Sequence, residues 1–273
     1  MKTKIISTLL GLICVPVILP LTLLVLGSMT GAEEWRGILA ADVIRPILLP
    51  TYPTLAPLVE ILMDTPEFFH MFWNSCRIAF PAVAGQILVG APAAWALSRM
   101  RFAGRGAVES LYITLMLLPF QVTMVSGYLM LDRLALIDTH WAVILPGIFS
   151  PFAVFLMTRG FAGISEELIE AARIDGAGAV RIFISVGLPL GLPGVLSAAV
   201  LGFLEHWSMI EQPMTFLKSP GLWPISLFTP IFTAESAGPG FAAALLIAAP
   251  PLLLFLYGQH DLERGIAAAG LKE

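Results

Sequence analysis

The chain has 273 residues, 58% of them hydrophobic and only 12% charged, with a formal net charge of −4 and a mean hydropathy of +0.87. So few charges cannot cover a water-soluble globule of this size, which excludes a soluble domain and makes lipid the expected solvent. The net charge decides little, because acidic residues barely affect membrane topology.

A helix needs roughly 20 mostly apolar residues to cross a hydrocarbon layer about 30 Å thick. Six stretches qualify: Ile5 to Leu26, Phe72 to Leu97, Ala107 to Leu131, Trp141 to Phe161, Ile184 to Ile210 and Phe241 to Tyr257. The expected fold is therefore all-α and integral to the membrane, one transmembrane domain over residues 1–273. The first stretch follows Lys2 and Lys4 as a secretory signal would. Its apolar run exceeds the usual length of about 7 to 15 residues and no A-x-A site follows, so it reads as a retained span.

The connection from Gly27 to His70 carries Glu33, Glu34, Asp42, Glu60, Asp64 and Glu67 among Pro46, Pro50, Pro53, Pro57 and Pro66. These prolines deny it a long helix, so it is expected to be an extended, partly ordered cap or a solvated linker. Cys14 and Cys76 lie in or beside different spans without C-x-x-C spacing and read as small apolar fillers. After the second span, SRMRFAGRG (residues 98–106) reads as a short basic turn facing anionic headgroups. In the third span, Gln121, Thr123 and Ser126 follow Pro119. Polar groups at membrane depth cost a few kcal/mol unless they meet a partner or water, so these are candidates for a solute path or for inter-helix hydrogen bonds.

Between the fourth and fifth spans lies a polar segment, about residues 165–189. Ser165 is placed to cap a helix, and Glu166 and Glu167 in its first turn complement the helix dipole. Leu168, Ala171 and Ala172 then fall on one face, while Glu170 and Arg173 project elsewhere. Gly176 and Gly178 break the helix, a second short helix starts near Ala179, and Pro189 marks the return into the membrane. A small Ala-Ala face permits close approach by another protein, and Glu170 offers it a charge-assisted contact.

Near the outer end of the fifth span are Glu205, His206 and Trp207, with Glu211 and Gln212 beyond. A ring offers a stacking face, and carboxylate or amide groups can bond hydroxyls, so Glu205, His206, Trp207 and Glu211 join Gln121 and Ser126 as path candidates. The connection from Glu211 to Pro239 is rich in Pro and Gly, and is expected to be a loop touching a partner. Pro81, Pro92, Pro119, Pro146, Pro189 and Pro193 can kink spans, and Gly187, Gly191 and Gly194 permit close packing.

Alternating the spans places Lys2, Lys4, Arg99, Arg101, Arg105, Arg159, Arg173, Arg181, Arg264 and Lys272 on one side, against Arg36, Arg45, Arg133 and Lys218 on the other. The excess puts both termini and the Glu170 segment in the cytoplasm. No G-x-x-x-x-G-K-[ST] occurs, and His70, His140, His206 and His260 are far apart with no H-E-x-x-H. No G-x-S-x-G elbow occurs either, so an integral membrane enzyme would need a catalytic constellation that this sequence does not offer.

Glu170 to Pro189 fits E-A-A-x3-G-x9-I-x-L-P with Val186 at the Ile position, and on that motif the chain resembles a permease subunit of an ABC importer. The wider run resembles the second permease subunit of the carbohydrate-type, maltose-permease-like group with its type I importer fold. It matches at Asn74-Ser75, APAAWALSRMRFAGR from Ala91, LPFQVTMVSGYLML from Leu118, LALIDTHWAVILP from Leu134 and SPFAVFLMTRGF from Ser150. The resemblance implies that Glu170, Ala171, Ala172, Asp175 and Gly176 dock into a partner ATPase, with Leu188 and Pro189 joining this element to the fifth span. It further implies a second permease subunit, an ABC ATPase dimer carrying ATP and Mg, and an external solute-binding protein. No cofactor in this chain and no nucleic-acid partner is expected. Many members have W-N-[DE]-F where this chain has Trp207-Ser208-Met209-Ile210, which weakens any transfer of solute contacts. The expected function is half of a translocation path for a sugar or oligosaccharide in a prokaryotic inner membrane. The alternatives are an importer of a polyol, phosphoester or amino acid, or a membrane enzyme or ion-coupled carrier.

Overall fold

The computed structural model describes residues 2–40, 49–230, 233 and 235–270, with side chains described between residues 11 and 263. Asp42, Arg45, Pro46 and Lys272 lie outside the described residues, as do the side chains of Lys2, Lys4 and Arg264. Among the described residues there is no strand. The chain divides into two compact units, residues 1–71 with 228–250, and residues 72–227 with 251–273.

In the first unit lie α1 (Lys2–Ser28), α2 (Ala32–Leu39), α3 (Ala56–Val59) with a π-turn at Glu60–Asp64, and the opening turns of α4 (Pro66–Arg99). The connection after the first span is thus shorter than expected, because α1 runs on to Ser28 and α4 begins at Pro66, and its described residues include α2 and α3. Proline is tolerated in a helix's first turn, where its missing N–H has no intrahelical partner. Side chains supply the remaining ties. The Trp35 ring stacks on Phe241 at 5.1 Å. Arg36 bridges Glu33 at 2.5 Å and Glu235 at 2.9 Å. The Thr51 N–H donates to Glu34 at 2.7 Å, which holds that carboxylate below its ordinary range.

In the second unit, the third apolar stretch is two helices, α5 (Arg105–Met116) and α6 (Phe120–Arg133), bent by 101°. Pro119 stands at the N-cap of α6 with extended backbone (ψ 147°). It has no N–H to continue α5, and it disfavours helical backbone at Leu118. Among the described residues, five helices are therefore long and apolar enough to cross a membrane, or six if the bent pair is one span. The fourth span comprises α7 (Trp141–Ile148) and α8 (Pro151–Ala162), interrupted where Ser150 caps α8 ahead of Pro151.

After α9 (Glu166–Ile174), α10 (Ala179–Ile182) passes through a π-turn at Phe183–Gly187 into α11 (Leu188–Ser208), one run of 30 residues. Pro189 accordingly lies within one continuous helical run, in the first turn of α11. The wider π-turn accommodates the amide that proline lacks. Glycines seat this run against its neighbours. A Cβ on Gly194 would stand 2.8 Å from the Gly160 Cα, so the α8 and α11 backbones touch. The Phe161 ring lies over Gly191, and the Trp95 ring lies over Gly187, where a Cβ would meet it at 2.7 Å.

The described residues of the connection expected to be a loop after the fifth span include α12 (Glu211–Phe216) and two 3-10 turns, Pro220–Leu222 and Ile225–Leu227, ahead of α13 (Ala237–Gly270). Its irregular backbone is satisfied by side chains from other elements. Asn74 donates to the carbonyls of Gly221 and Trp223 at 2.8 and 3.1 Å, and Ser75 Oγ accepts the Ile225 N–H at 2.7 Å. Asp138, at φ +62°, accepts the N–H groups of Lys218 and Ser219 at 2.8 Å each and the Ser219 hydroxyl at 2.6 Å. These bonds, the Ser219 hydroxyl first, hold the Asp138 carboxyl below its ordinary 3.8.

Two predictions follow from this packing. Gly194→Ala overpacks a backbone contact, so the thermal midpoint of the purified protein should fall by the equivalent of about 1–3 kcal/mol. Gly106→Ala, facing open space in α5, should leave it unchanged. The Asp138 carboxylate is favoured in the folded state, so its contribution is complete at neutral pH and is lost as pH falls through its lowered value. Hydrogen-exchange protection of the Lys218 and Ser219 amides should decline below pH 3.8 in the wild type. In Asp138→Asn it should be lower throughout and insensitive to pH over that interval.

Candidate functional site

The polar segment between the fourth and fifth spans is built on α9. Ser165 occupies the N-cap with extended backbone, but its hydroxyl makes no capping bond, so that part of the expected start is absent. The end is closed firmly. Gly176 takes φ +81°, its N–H donates to the Arg173 carbonyl at 3.0 Å, and the Ala177 N–H donates to the Ala172 carbonyl at 3.0 Å. This paired closure is the Schellman arrangement, which glycine accepts without a Cβ penalty. Gly178 has ordinary extended backbone, φ −72° and ψ 163°.

The apolar face expected from Leu168, Ala171 and Ala172 is divided. Ile169 is buried, and Ala172 and Ala177 pack against the same core beside Trp95, Phe161 and Ile182. Ile169 and Ala172 form the inward i, i+3 pair that the Schellman turn locks in place. Leu168, Glu170, Ala171, Asp175 and Gly176 are exposed, and Ile174 is 85% exposed. Val180 and Ile184 add exposed apolar surface just beyond. Leu188 is partly buried against the core, while Pro189 is exposed. A cleft of about 730 Å³ opens beside α9, its lining including Trp95, Arg99, Glu166, Glu170, Arg173 and Val180.

One residue of this site was not foreseen in its role. Arg99, the last residue of α4, reads from sequence as a basic contact for lipid headgroups. Its guanidinium instead caps α8, donating to the carbonyls of Phe161 (3.0 and 2.7 Å), Ala162 (3.1 Å) and Ile164. It also pairs with Glu166 at 3.2 Å, and Glu166 faces Arg173 at 3.6 Å. An arginine after an apolar helix has the same local pattern whichever of these it does, so no signal in the sequence distinguishes them.

The polar path candidates separate into two groups. Gln121, Ser126, Glu205 and Glu211 are exposed. Gln121, in the first turn of α6, donates to Glu211 on α12 at 2.6 Å, so the structure brings together two residues 90 positions apart. The Ser126 hydroxyl donates within its own helix, to Thr123 at 3.0 Å. His206 and Trp207 are buried, contrary to their reading as path residues. Trp207, only 2% exposed, has one face stacked on Phe203 at 5.3 Å and an edge contact with Phe72 at 5.5 Å, so apolar packing already takes its ring. His206 Nε2 meets Gln86 Nε2 at 3.1 Å, and Gln86 also donates to the Gly147 carbonyl at 2.9 Å. The absence of side chains at Gly147 and Gly202 leaves room for this buried pair. The pairing of Gln86 with His206 joins α4 to α11 and has no motif in the sequence.

The arrangement therefore contains an exposed apolar and acidic face on a well-anchored short helix. The family model for the inner membrane component of binding-protein-dependent transport systems matches residues 86–266. The chain is similar to the arabinooligosaccharides transport system permease protein AraQ of Halalkalibacterium halodurans, with 29% identity over 93% of this chain and 91% of that one. It is 30% identical to the galactooligosaccharides permease GanQ of Bacillus subtilis, over 82% of each chain. It is also 30% identical to the sulfoquinovosyl glycerol permease SmoH of Agrobacterium fabrum, over 84% of this chain and 82% of that one. A crystal structure of a bacterial ABC transporter that imports the acidic polysaccharide alginate shares the fold, with a TM-score of 0.80, 20% identity and 95% of each chain covered. On the matched family model and these relatives, this chain belongs to the binding-protein-dependent transport system inner membrane components, the multi-pass permeases of ABC importers.

Proposed function

We propose that this chain forms half of the translocation path of an ATP-driven importer for a sugar or oligosaccharide, and that α9 and the turn after it dock onto a cytoplasmic ATPase. The observation that carries the docking reading is the division of α9. Ile169 and Ala172 anchor it to the core, while Leu168 and Ile174 present bulky apolar side chains outward beside Glu170. A helix gains nothing in its own fold from an exposed Ile174, so a partner that buries it supplies the missing contact. Glu170 gives that partner's cation a charge-assisted bond. The preponderance of Lys and Arg on this side supports a cytoplasmic placement for the segment and both termini.

The sugar class is supported by the relatives, whose named solutes all carry sugar rings. ATP and Mg belong on the ATPase, and a second permease and an external binding protein complete the assembly. Within the path, the exposed Gln121 and Glu211 pair, with Ser126 and Glu205, offers amide, carboxylate and hydroxyl groups of the kind that bond sugar hydroxyls. Trp207 is left out of this set.

Docking is tested with the chain co-expressed with its ATPase. Burying one Ile or Leu side chain is worth about 1.5–3 kcal/mol, so Leu168→Asp and Ile174→Asp should each weaken ATPase co-purification by about tenfold or more. Gly176→Leu forces a side chain into the left-handed region at a cost of about 1–2 kcal/mol and should also lower ATPase stimulation. Gly178→Ala, in ordinary backbone, should not. Normal ATPase capture and stimulation in all three impaired variants contradicts the docking surface.

A further inference from the structure

We propose that Arg99 is a positioning residue for energy coupling, a strut that makes α9 and the end of α4 move as one body. This rests on the reading of α9 as the ATPase-docking element. Only Gly163, Ile164 and Ser165 separate α8 from α9, and Ser165 provides no capping bond, so the covalent link alone would let α9 swing.

A helix ends with its last carbonyls unpaired, and α8 ends beside this link. Arg99 fills that gap from another helix. Its Nε and Nη2 reach the carbonyls of Phe161, Ala162 and Ile164, and its Nη1 reaches the Glu166 carboxylate at the first turn of α9. The planar fork of arginine can serve several acceptors in fixed directions, which a lysine cannot. The Arg99 side chain is only 12% exposed, so its bonds to the Phe161 and Ile164 carbonyls are partly shielded from water, while Glu166, 53% exposed, meets it at the surface.

One helical turn earlier on α4, Trp95 fixes the same junction from the apolar side. It meets Phe161 edge-on at 5.5 Å and lies over Gly187. A displacement of α9 is therefore carried to α4 through rigid contacts on both sides, with Arg99 as the only charged one described between them.

The test uses the full transporter, with partner permease and ATPases, in a background with Cys14 and Cys76 replaced by alanine. Spin labels at Met100→Cys and Glu167→Cys, both exposed, report the distance between the end of α4 and α9. In the wild type the distance should be narrow and the same in nucleotide-free and Mg-ATP-vanadate states. Arg99→Gln should broaden it and shift it between states by more than about 2 Å, the scale of helix shifts in switching proteins. Arg99→Lys, which keeps the charge but not the fork, should fall between.

ATPase co-purification should remain at the wild-type level in both. Glu166→Gln, which leaves the carbonyl cap of α8 intact, decides the matter if Arg99→Gln does not assemble, and should also broaden the distance. A wild-type distance that itself changes with nucleotide, or an unchanged narrow distance in Arg99→Gln and Glu166→Gln, overturns the proposal. Failure of the underlying docking reading is separable, because it appears as normal ATPase capture by Leu168→Asp and Ile174→Asp.

Discussion

The contact between the backbones of α8 and α11 at Gly160 and Gly194 is the constraint on which the second unit depends. In lipid, apolar side chains gain little by leaving the solvent, so helices are held by close van der Waals packing and a few polar bonds. Removing two side chains lets the axes approach until one glycine Cα faces the other. Phe161 then settles over Gly191 and Trp95 over Gly187, and Ile169 of α9 completes the same core. The polar segment is thus pinned at its base by the packing of the two spans it connects.

The second constraint is the fate of polar groups at places where regular helix fails. Several interruptions are met by a side chain from elsewhere. Arg99 takes the end of α8, Asn74 and Ser75 take the turns after α12, and Asp138 takes the amides of Lys218 and Ser219. The pair of Gln86 and His206 does the same across buried helix faces. Most of these bonds join residues more than 60 positions apart, so they fix tertiary geometry as well as satisfying local backbone.

The spans, their number within one, and the turn at Gly176 were legible in the sequence because each has a local cause: apolar length, proline, or a glycine where φ must be positive. The glycine spacing of the fifth span likewise announced close packing, though not which rings would fill it. What was not legible depended on facing partners. Pro119 marked a possible kink, but a 101° break between α5 and α6 could not be separated from a mild bend. Spacing grouped Ala172 with Leu168 and Ala171, whereas the buried stripe runs through Ile169. Trp207 read as a stacking platform, yet Phe203 and Phe72 occupy its surroundings. The signal for Arg99 was a charge at a span end, which is the same for a lipid contact and for a helix cap.

Sequence identity near 30% with three transport system permeases agrees with the matched family on the class of machine. The central claim is that the outward face of α9 is where an ATPase grips this permease. A photo-cross-linking amino acid placed at Ile174, in cells expressing the whole transporter, tests that most directly. The account predicts a cross-link from Ile174 to the ATPase chain, and none from an otherwise equivalent probe at Leu129 on the exposed face of α6. Ile174 cross-links confined to lipid or to the other permease would contradict it.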